Sequence, residues 1–129
     1  MIDGNVTYMF PHEKLEVWQQ ARELAKQTYK VTAGFPKQEK FGLVDQLRRA
    51  AVSVMSNLAE GSGRTSARDQ AHFSQMAFGS LMEMESQLQL SLDLGFLAAS
   101  DYERFRKAIH ELAQKTSALR SSQLKRCSR

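Results

Sequence analysis

Apolar side chains recur along most of this chain at alternating spacings of three and four residues. The pattern occupies four stretches, at about 12–33, 38–60, 66–94 and 100–122. Spacing of this kind places the apolar side chains on one face of an α-helix, and no stretch shows the every-second-residue alternation of a strand. The pattern therefore predicts four amphipathic helices.

Glycines and capping residues mark the ends of these stretches. Gly34, Gly61 and Gly95 each follow one of the first three stretches, as expected of residues that end helices. Ser66 and Ser100 each precede an acidic residue by three positions, which is typical of a helix start. Because the resulting connections are short, consecutive helices are expected to pack as antiparallel neighbours.

The predicted fold class is all-α, an antiparallel up-down-up-down four-helix bundle that forms one domain over residues 1–129. Residues 1–10 and 122–129 lie outside the periodic stretches and are expected to be loosely held tails. The composition agrees with a globular domain, since 42% of the residues are hydrophobic and 25% are charged.

Composition also excludes several classes of protein. The single cysteine, Cys127, excludes an intrachain disulfide framework. No apolar run approaches the roughly 18–20 residues of a membrane span. The first ten residues, MIDGNVTYMF, lack the basic and apolar regions of a secretory signal. We therefore expect a protein of the reducing cytoplasm with no membrane partner.

The chain lacks the motifs of common catalytic and metal chemistry. His110-Glu111 is not followed by the second histidine of an HExxH zinc motif, and neither a Walker A loop nor a G-x-S-x-G elbow occurs. The single Asp69-Gln70-Ala71-His72 stretch offers too few ligands for a di-iron bundle. The sequence predicts no catalytic residue, no metal, no cofactor and a non-enzymatic function.

Positive charge is concentrated towards one end of the sequence. The net charge is +4, and residues 100–129 hold eight basic residues against three acidic ones. Such a basic region indicates contact with nucleic acid or with an acidic partner, although a solvated face would have the same composition. The candidate contacts are Arg49, Arg64, Arg68, Arg104, Lys107, Lys125 and Arg126.

The stretch from Gly61 to Arg68 has two possible interpretations. Glycines precede a predicted helix start, where free N–H groups favour an anion, and Arg64 and Arg68 add positive charge. A phosphate or a carboxylate from another subunit would fit there. The same residues also suit an ordinary helix end, turn and N-cap, so the question stays open at this point.

The third helix carries apolar residues beyond its core stripe. At 100° per residue, Phe78, Met82 and Leu90 point away from that stripe. Large apolar side chains on a second face favour a subunit interface, although scattered exposed apolar residues are common. The chain is therefore expected to form a homo-oligomer.

An ion pair between neighbouring helices is a structural hypothesis. If the second and third helices are antiparallel about residues 61–65, Ser80 lies opposite Leu47 and Arg48. Glu83 is then within one helical turn of Arg48, and the two side chains are expected to pair.

Several short stretches resemble a known family. They are LEVW at 15–18, FP at 35–36, FGL at 41–43, QLRRAAVS at 46–53, NLAEG at 57–61, GR at 63–64, GSL at 79–81, Glu83 and LG at 94–95. Over about residues 12–120 the chain resembles the proteins encoded within intervening sequences of bacterial large-subunit ribosomal RNA genes. That family is similar in turn to the accessory variability proteins of diversity-generating retroelements.

The resemblance implies a four-helix bundle that assembles into a ring, most often a pentamer; a dimer is the second expectation. The retroelement relatives act without catalysis and bind a reverse transcriptase and nucleic acid through a basic surface. For this chain the expected partners are further copies of itself, RNA or DNA, and a nucleic-acid enzyme. The predicted function is a homo-oligomeric adaptor for nucleic acid or a nucleic-acid-associated protein. The alternative is a structural protein–protein interaction module with no nucleic-acid role.

Overall fold

A computed structural model describes residues 8–127, which contain four α-helices, two short 3-10 turns and no strand. The helices are α1 (Glu16–Thr32), α2 (Leu43–Ser62), α3 (Ala67–Asp93) and α4 (Ala99–Cys127). The 3-10 turns Pro11–Lys14 and Lys37–Glu39 precede α1 and α2. The predicted all-helical class with four helices is confirmed.

Both ends of α3 have the local chemistry that the sequence predicts. The Ser66 hydroxyl accepts a hydrogen bond from the Asp69 backbone N–H (3.0 Å) and so caps the first turn. At the other end Gly95 has a φ of 77°, and the Phe96 N–H donates to the Ser91 carbonyl (2.9 Å). Glycine suits this left-handed position because it has no Cβ to clash with the backbone.

The first two helices begin later than predicted. Residues 11–14 form a 3-10 turn, so α1 starts at Glu16 and not near residue 12. Residues 37–39 form a second 3-10 turn, and α2 starts at Leu43 and not near residue 38. The Glu39 carboxylate accepts a hydrogen bond from the Leu43 N–H (3.2 Å) and thereby satisfies a free donor at the new start.

The C-terminal helix is longer than predicted. The prediction of a loose tail from residue 122 is wrong for 122–127, since α4 continues to Cys127. Gln123 is buried in this last part, and its Oε1 accepts a hydrogen bond from the Ser74 hydroxyl of α3 (2.7 Å). A polar residue anchors the end of the helix, and the apolar pattern does not detect such an anchor. The rest of the predicted tails, 1–7 and 128–129, lies outside the described residues.

The helices pack side by side around one core. The tight contacts are α1 with α2, α2 with α3 and α3 with α4, whereas α1 and α4 meet more loosely. Large apolar side chains shielded completely from solvent come from the last three helices; they are Leu47, Val54, Leu81, Met84, Leu88 and Ile109. The looser α1–α4 contact leaves a cavity of about 370 Å³ whose walls include Leu24, Phe105 and Leu112.

Within residues 8–127 every helix is too short or too polar to cross a membrane.

Candidate nucleic-acid interface

A close approach between α2 and α3 forms one end of the bundle. Gly61 lies inside α2 and is buried, so it does not end the helix as the sequence suggested. A Cβ at Gly61 would stand only 3.0 Å from the Phe73 Cβ and 3.5 Å from the Gln70 carbonyl oxygen. The glycine therefore serves to let the two helix backbones approach each other.

The turn after α2 uses most of its polar groups within the chain. The Arg64 guanidinium lies 3.2 Å from Glu60 Oε2 and stacks over the Phe73 ring, 4.7 Å from its centroid. The Ser62 hydroxyl donates to the Ala59 carbonyl (2.7 Å). Since Ser66 caps α3, Arg68 is the main charged group of this turn that remains available to an anion.

Gln70 joins this turn to the end of α4. Its Nε2 donates to the Arg64 carbonyl (2.8 Å), and its Oε1 accepts a hydrogen bond from the Arg126 guanidinium. One side chain thus brings residues 64 and 126 together although 62 positions separate them in sequence. We call the resulting cluster the basic end; its members are Arg64, Arg68, Lys125 and Arg126.

Carboxylates one turn away neutralise three of the seven predicted contacts. The pairs are Arg49–Asp45 (3.8 Å), Arg64–Glu60 (3.2 Å) and Arg104–Asp101 (2.7 Å). All three follow i,i+3 or i,i+4 spacing, a signal that was readable in the sequence. They hold these arginines in local pairs, which reduces the charge that each offers to a ligand.

The other four predicted contacts form no ion pair within residues 8–127. Arg68, Lys125 and Arg126 lie at the basic end, in the first turn of α3 and the last turn of α4. Lys107 is exposed nearer the start of α4, away from this cluster. The structure therefore groups four of the seven predicted residues and leaves Arg49, Arg104 and Lys107 elsewhere.

A small cavity lies beside the basic end. It measures about 210 Å³ and is lined by residues from α2, α3 and α4, by Pro11 of the first 3-10 turn and by Leu15, which connects that turn to α1. Apolar walls come from Leu15, Leu58 and Leu119, and polar groups from Gln123 and Arg126. Sequence reasoning missed Gln123 because a polar residue at a buried position carries no hydrophobic signal; only its place in the helical stripe could have indicated it.

Exposed aromatic residues come just before Pro11 of this cavity in sequence. Tyr8 is 66% exposed and Phe10 is 54% exposed, and Pro11, the next residue, lines the cavity wall. Phe10 stacks on His12, whose ring edge in turn meets Trp18 with centroids 4.6 Å apart. Residues 8–10, predicted to belong to a loose tail, carry two exposed aromatic side chains directly before the 3-10 turn that contributes Pro11 to the cavity wall.

The predicted ion pair between Arg48 and Glu83 is wrong. Arg48 turns to α1, where its Nε donates to the Thr32 hydroxyl (3.0 Å) and its guanidinium lies over the Tyr29 ring at 4.6 Å. Glu83 is exposed on α3 beside Arg49. The flank of α2 that carries Arg48 faces α1 and not α3, so the two side chains lie on different sides of α2.

The assumed register between α2 and α3 was also incorrect. Ser80 Oγ lies 2.9 Å from Ser53 Oγ and is therefore not opposite Leu47 or Arg48. Further along, Gln87 Nε2 donates to Gln46 Oε1 (3.1 Å). Polar side chains of similar size pair across this seam and set the register.

The predicted interface residues of α3 differ in accessibility. Met82 and Leu90 are 42% and 48% exposed, whereas Phe78 is partly buried and packs against the core. Gly79 lies between Phe78 and Met82 in sequence, and a Cβ built on it would contact nothing within 4 Å. The outer face of α3 thus exposes Met82 and Leu90 near an open Gly79, with Phe78 at its margin.

A hydrogen-bonded cluster ties α3 to α4 on the other flank. The Tyr102 hydroxyl donates to Glu85 Oε1 (3.0 Å) and accepts from Arg106 (2.8 Å), which itself lies 3.5 Å from Glu85. The hydrogen bond to Tyr102 raises the pKa of Arg106 above its ordinary value, so this side chain stays charged. The cluster is structural, since these polar contacts of Tyr102, Glu85 and Arg106 are made with one another.

Metal ligands do not gather in the described part of the chain. Between residues 8 and 127, no three His, Cys, Asp or Glu side chains lie close enough to hold an ion together.

Comparison with known proteins gives a family and a fold. A search of curated proteins finds no match. A crystal structure of a protein with unknown function, from the S23 ribosomal protein family of Bacteroides thetaiotaomicron, superposes with a TM-score of 0.72 at 21% identity, covering 80% of this chain and 96% of that chain. At this identity the likeness shows the four-helix fold alone. The family model for the 23S rRNA-intervening sequence protein matches residues 13–118. Because that match spans most of the chain, the protein belongs to the 23S rRNA-intervening sequence protein family.

Proposed function

We propose that this protein is a non-enzymatic homo-oligomeric adaptor that binds nucleic acid, alone or with an associated protein, through the basic end. The observation that carries the proposal is that Arg68 in the first turn of α3 and Lys125 and Arg126 in the last turn of α4 have no carboxylate partner among residues 8–127. Gln70 connects the two helix ends by accepting a hydrogen bond from Arg126. Unpaired basic side chains neutralise phosphates and release the counterions around them, which supplies sequence-independent affinity.

An antiparallel up-down arrangement belongs to the same proposal. Two contacts support it, Gln46 with Gln87 and Ser53 with Ser80, because the position on α3 falls as the position on α2 rises. In that arrangement the end of α2, the start of α3 and the end of α4 share one end of the bundle. The basic end then forms one continuous surface.

Assembly into a ring is the second part of the proposal, with a pentamer favoured and a dimer as the next choice. The exposed Met82 and Leu90 support it, and so does Gly79. A glycine inside a helix costs up to about 1 kcal/mol relative to alanine, and nothing in the chain itself occupies the space beside this one. A helix of a neighbouring copy could approach closely there.

We further place the protein in the cytoplasm, where its one cysteine, Cys127, would stay reduced. The resemblance to accessory variability proteins supports the combination of a ring with a basic surface. It also favours an enzyme that acts on nucleic acid as the associated protein.

The salt dependence of binding tests the nucleic-acid role. Affinity for fragments of ribosomal RNA is measured from low to moderate salt for the wild type and for Arg68→Ala/Arg126→Ala. Loss of two phosphate contacts should reduce the slope of log affinity against log salt by about 1.4 for a single strand or about 1.8 for a duplex.

Arg49→Ala/Arg104→Ala is the matched control, since it removes the same charge from residues that already have carboxylate partners. Its slope should change by less than half as much. Absence of any binding by the wild type at low salt would defeat the nucleic-acid role and leave the structural interaction module. Equal slopes for the two double variants would exclude the basic end as the contact.

A further inference from the structure

The cavity at the basic end combines apolar walls with polar groups on one side. Pro11, Leu15, Leu58 and Leu119 form its apolar part. Its volume of about 210 Å³ is below the range of about 300–1,000 Å³ found for pockets that take drug-sized ligands. A single planar ring system would fill it.

The polar side of the cavity has unused hydrogen-bond donors. Gln123 is only 6% exposed, and its Oε1 is occupied by the Ser74 hydroxyl. Its Nε2 group has no hydrogen-bond partner within residues 8–127. Arg126 also lines the cavity, and its hydrogen bond to Gln70 uses only one of its five N–H donors. The Nε2 group of Gln123 keeps some solvent access and is therefore open to a ligand or a water.

The hydrogen-bond donors of Gln123 and Arg126 determine which planar ring system suits the cavity. They match an edge that presents carbonyl oxygens and ring nitrogens as acceptors, as guanine does with O6 and N7 and as uracil does with its carbonyl groups. Adenine has an amino donor on the corresponding edge and matches less well. An acceptor-rich nucleobase therefore suits the cavity.

The surroundings of the cavity offer aromatic rings and basic side chains, two further elements of single-strand recognition. Proteins read single strands by splaying bases out, stacking them on aromatic rings and holding the backbone with basic residues. Tyr8 and Phe10 are exposed aromatic residues that come shortly before Pro11 of the cavity wall in sequence. Arg126 lines the cavity, and Arg68 lies in the first turn of α3, two residues before the lining residue Gln70. A base inside a duplex is stacked on both faces and cannot enter.

We propose that this cavity takes one unstacked nucleobase of a single-stranded nucleic acid, RNA or DNA, with a preference for uracil or guanine over adenine. The proposal rests on the nucleic-acid role of the basic end and specifies what that surface binds. Neighbouring bases stack on Tyr8 and Phe10 while phosphates contact the arginines.

The test measures binding of the full chain to eight-nucleotide strands, U8, A8 and their DNA counterparts, and to an RNA duplex of the same length. The wild type should bind U8 more tightly than A8 and more tightly than the duplex. Gln123→Met keeps the side-chain volume but removes the donor, so affinity for U8 should fall about tenfold. The salt slope should not change, because no phosphate contact is lost. Comparison of U8 with its DNA counterpart distinguishes the two sources of the base.

Gln20→Met is the matched control, since Gln20 lines the separate cavity between α1 and α4. It should leave U8 binding unchanged. A second pair of variants changes only exposed side chains and so avoids an effect on folding. Phe10→Ala removes an exposed ring one residue before Pro11 of the cavity wall. Its control, Phe41→Ala, removes a ring that is 85% exposed in the segment before α2. Only the first should weaken U8 binding, by about fivefold or more.

Two results would overturn the cavity proposal while leaving the proposed function intact. One is equal binding of U8 and duplex with no effect of Gln123→Met or Phe10→Ala. The other is binding of uridine monophosphate as tight as that of U8, which would assign the cavity to a free nucleotide. Failure of every strand and duplex to bind at low salt would defeat both the proposed function and this inference.

Discussion

Single side chains decide how closely the helices of this protein approach. Gly61 removes a side chain where α2 meets α3, and the Cβ of Phe73 occupies the space. Tyr102 connects Glu85 with Arg106 across the α3–α4 contact. Neither role can be predicted from the helix propensity of the residue, because each depends on which side chain of the neighbouring helix lies opposite.

Replacing Gly61 with alanine should destabilise the protein. The new Cβ would stand 3.0 Å from the Phe73 Cβ, which is fixed to the α3 backbone and cannot move alone. We expect a loss of about 1–3 kcal/mol in the free energy of unfolding, as for other overpacked sites. Gly63→Ala is the control, since its Cβ would meet only the Glu60 carbonyl at 3.6 Å. Urea unfolding curves that coincide for the two variants would refute the close approach.

Removing the Tyr102 hydroxyl should weaken the α3–α4 contact. Tyr102→Phe deletes one hydrogen bond to Glu85 and one from Arg106, while Glu85 Oε2 is already buried without a partner. The expected cost is about 1–3 kcal/mol, measured by thermal or urea unfolding. Tyr29→Phe removes a hydroxyl from an exposed tyrosine and should change stability little. Equal stability of the two variants would contradict the structural role of the cluster.

The four helices differ in how firmly they are held. α2 and α3 pack along most of their length, α1 and α4 leave a cavity between them, and α4 depends on polar contacts at its end. The last turns of α4 are the part where sequence and structure disagree most. A measurement of how strongly these last turns contribute to stability therefore tests whether Gln123 anchors α4.

Truncation after Ser121 tests that anchor. It removes Gln123 and leaves the buried Ser74 hydroxyl without its partner. We expect a loss of about 1–3 kcal/mol in stability, together with lower helical content by circular dichroism. Truncation after Cys127 is the control and should leave α4 unaffected. If the two truncated proteins are equally stable, residues 122–127 are a loose tail after all.

The molecule as a whole presents two contrasting surfaces. The basic end carries lysine and arginine side chains, whereas the outer face of α3 exposes Met82 and Leu90 near an open glycine. A surface of the first type suits a polyanion, and one of the second type suits another copy of the protein. The proposed binding and the proposed assembly therefore involve different parts of the bundle.

Disrupting the α3 face should dissociate the proposed ring without unfolding the chain. Met82→Glu/Leu90→Glu places two charges on exposed positions, so helical content should be retained while the mass falls to that of a monomer, 14.6 kDa. Phe78 is less suitable for this test because it packs partly against the core. Light scattering at micromolar concentration gives the mass.

Val52→Glu on α2 serves as the control, since Val52 is 38% exposed and outside that face. Its mass should equal that of the wild type. A wild-type mass near 14.6 kDa would itself defeat the assembly proposal.

Much of the fold could be predicted from local pattern alone. Apolar periodicity identified four helices, and Ser66 and Gly95 marked the ends of α3, because a helical stripe and a cap depend on residues only a few positions apart. The starts of α1 and α2 were missed since 3-10 turns and α-helices share similar local preferences. The local ion pairs of Arg49, Arg64 and Arg104 were also readable from sequence, because each carboxylate lies three or four positions away.

The sequence by itself determined the all-helical class, the number of helices and the surplus of basic residues near the C-terminus. Tertiary structure decided which flank of α2 Arg48 occupies, which residue Ser80 faces, and that Gln70 brings Arg64 and Arg126 together. It also decided that Gln123 is buried and that Pro11 lines a cavity. These features depend on helix rotation and register, which are set by packing between residues far apart in the chain and leave no periodic trace in any one segment.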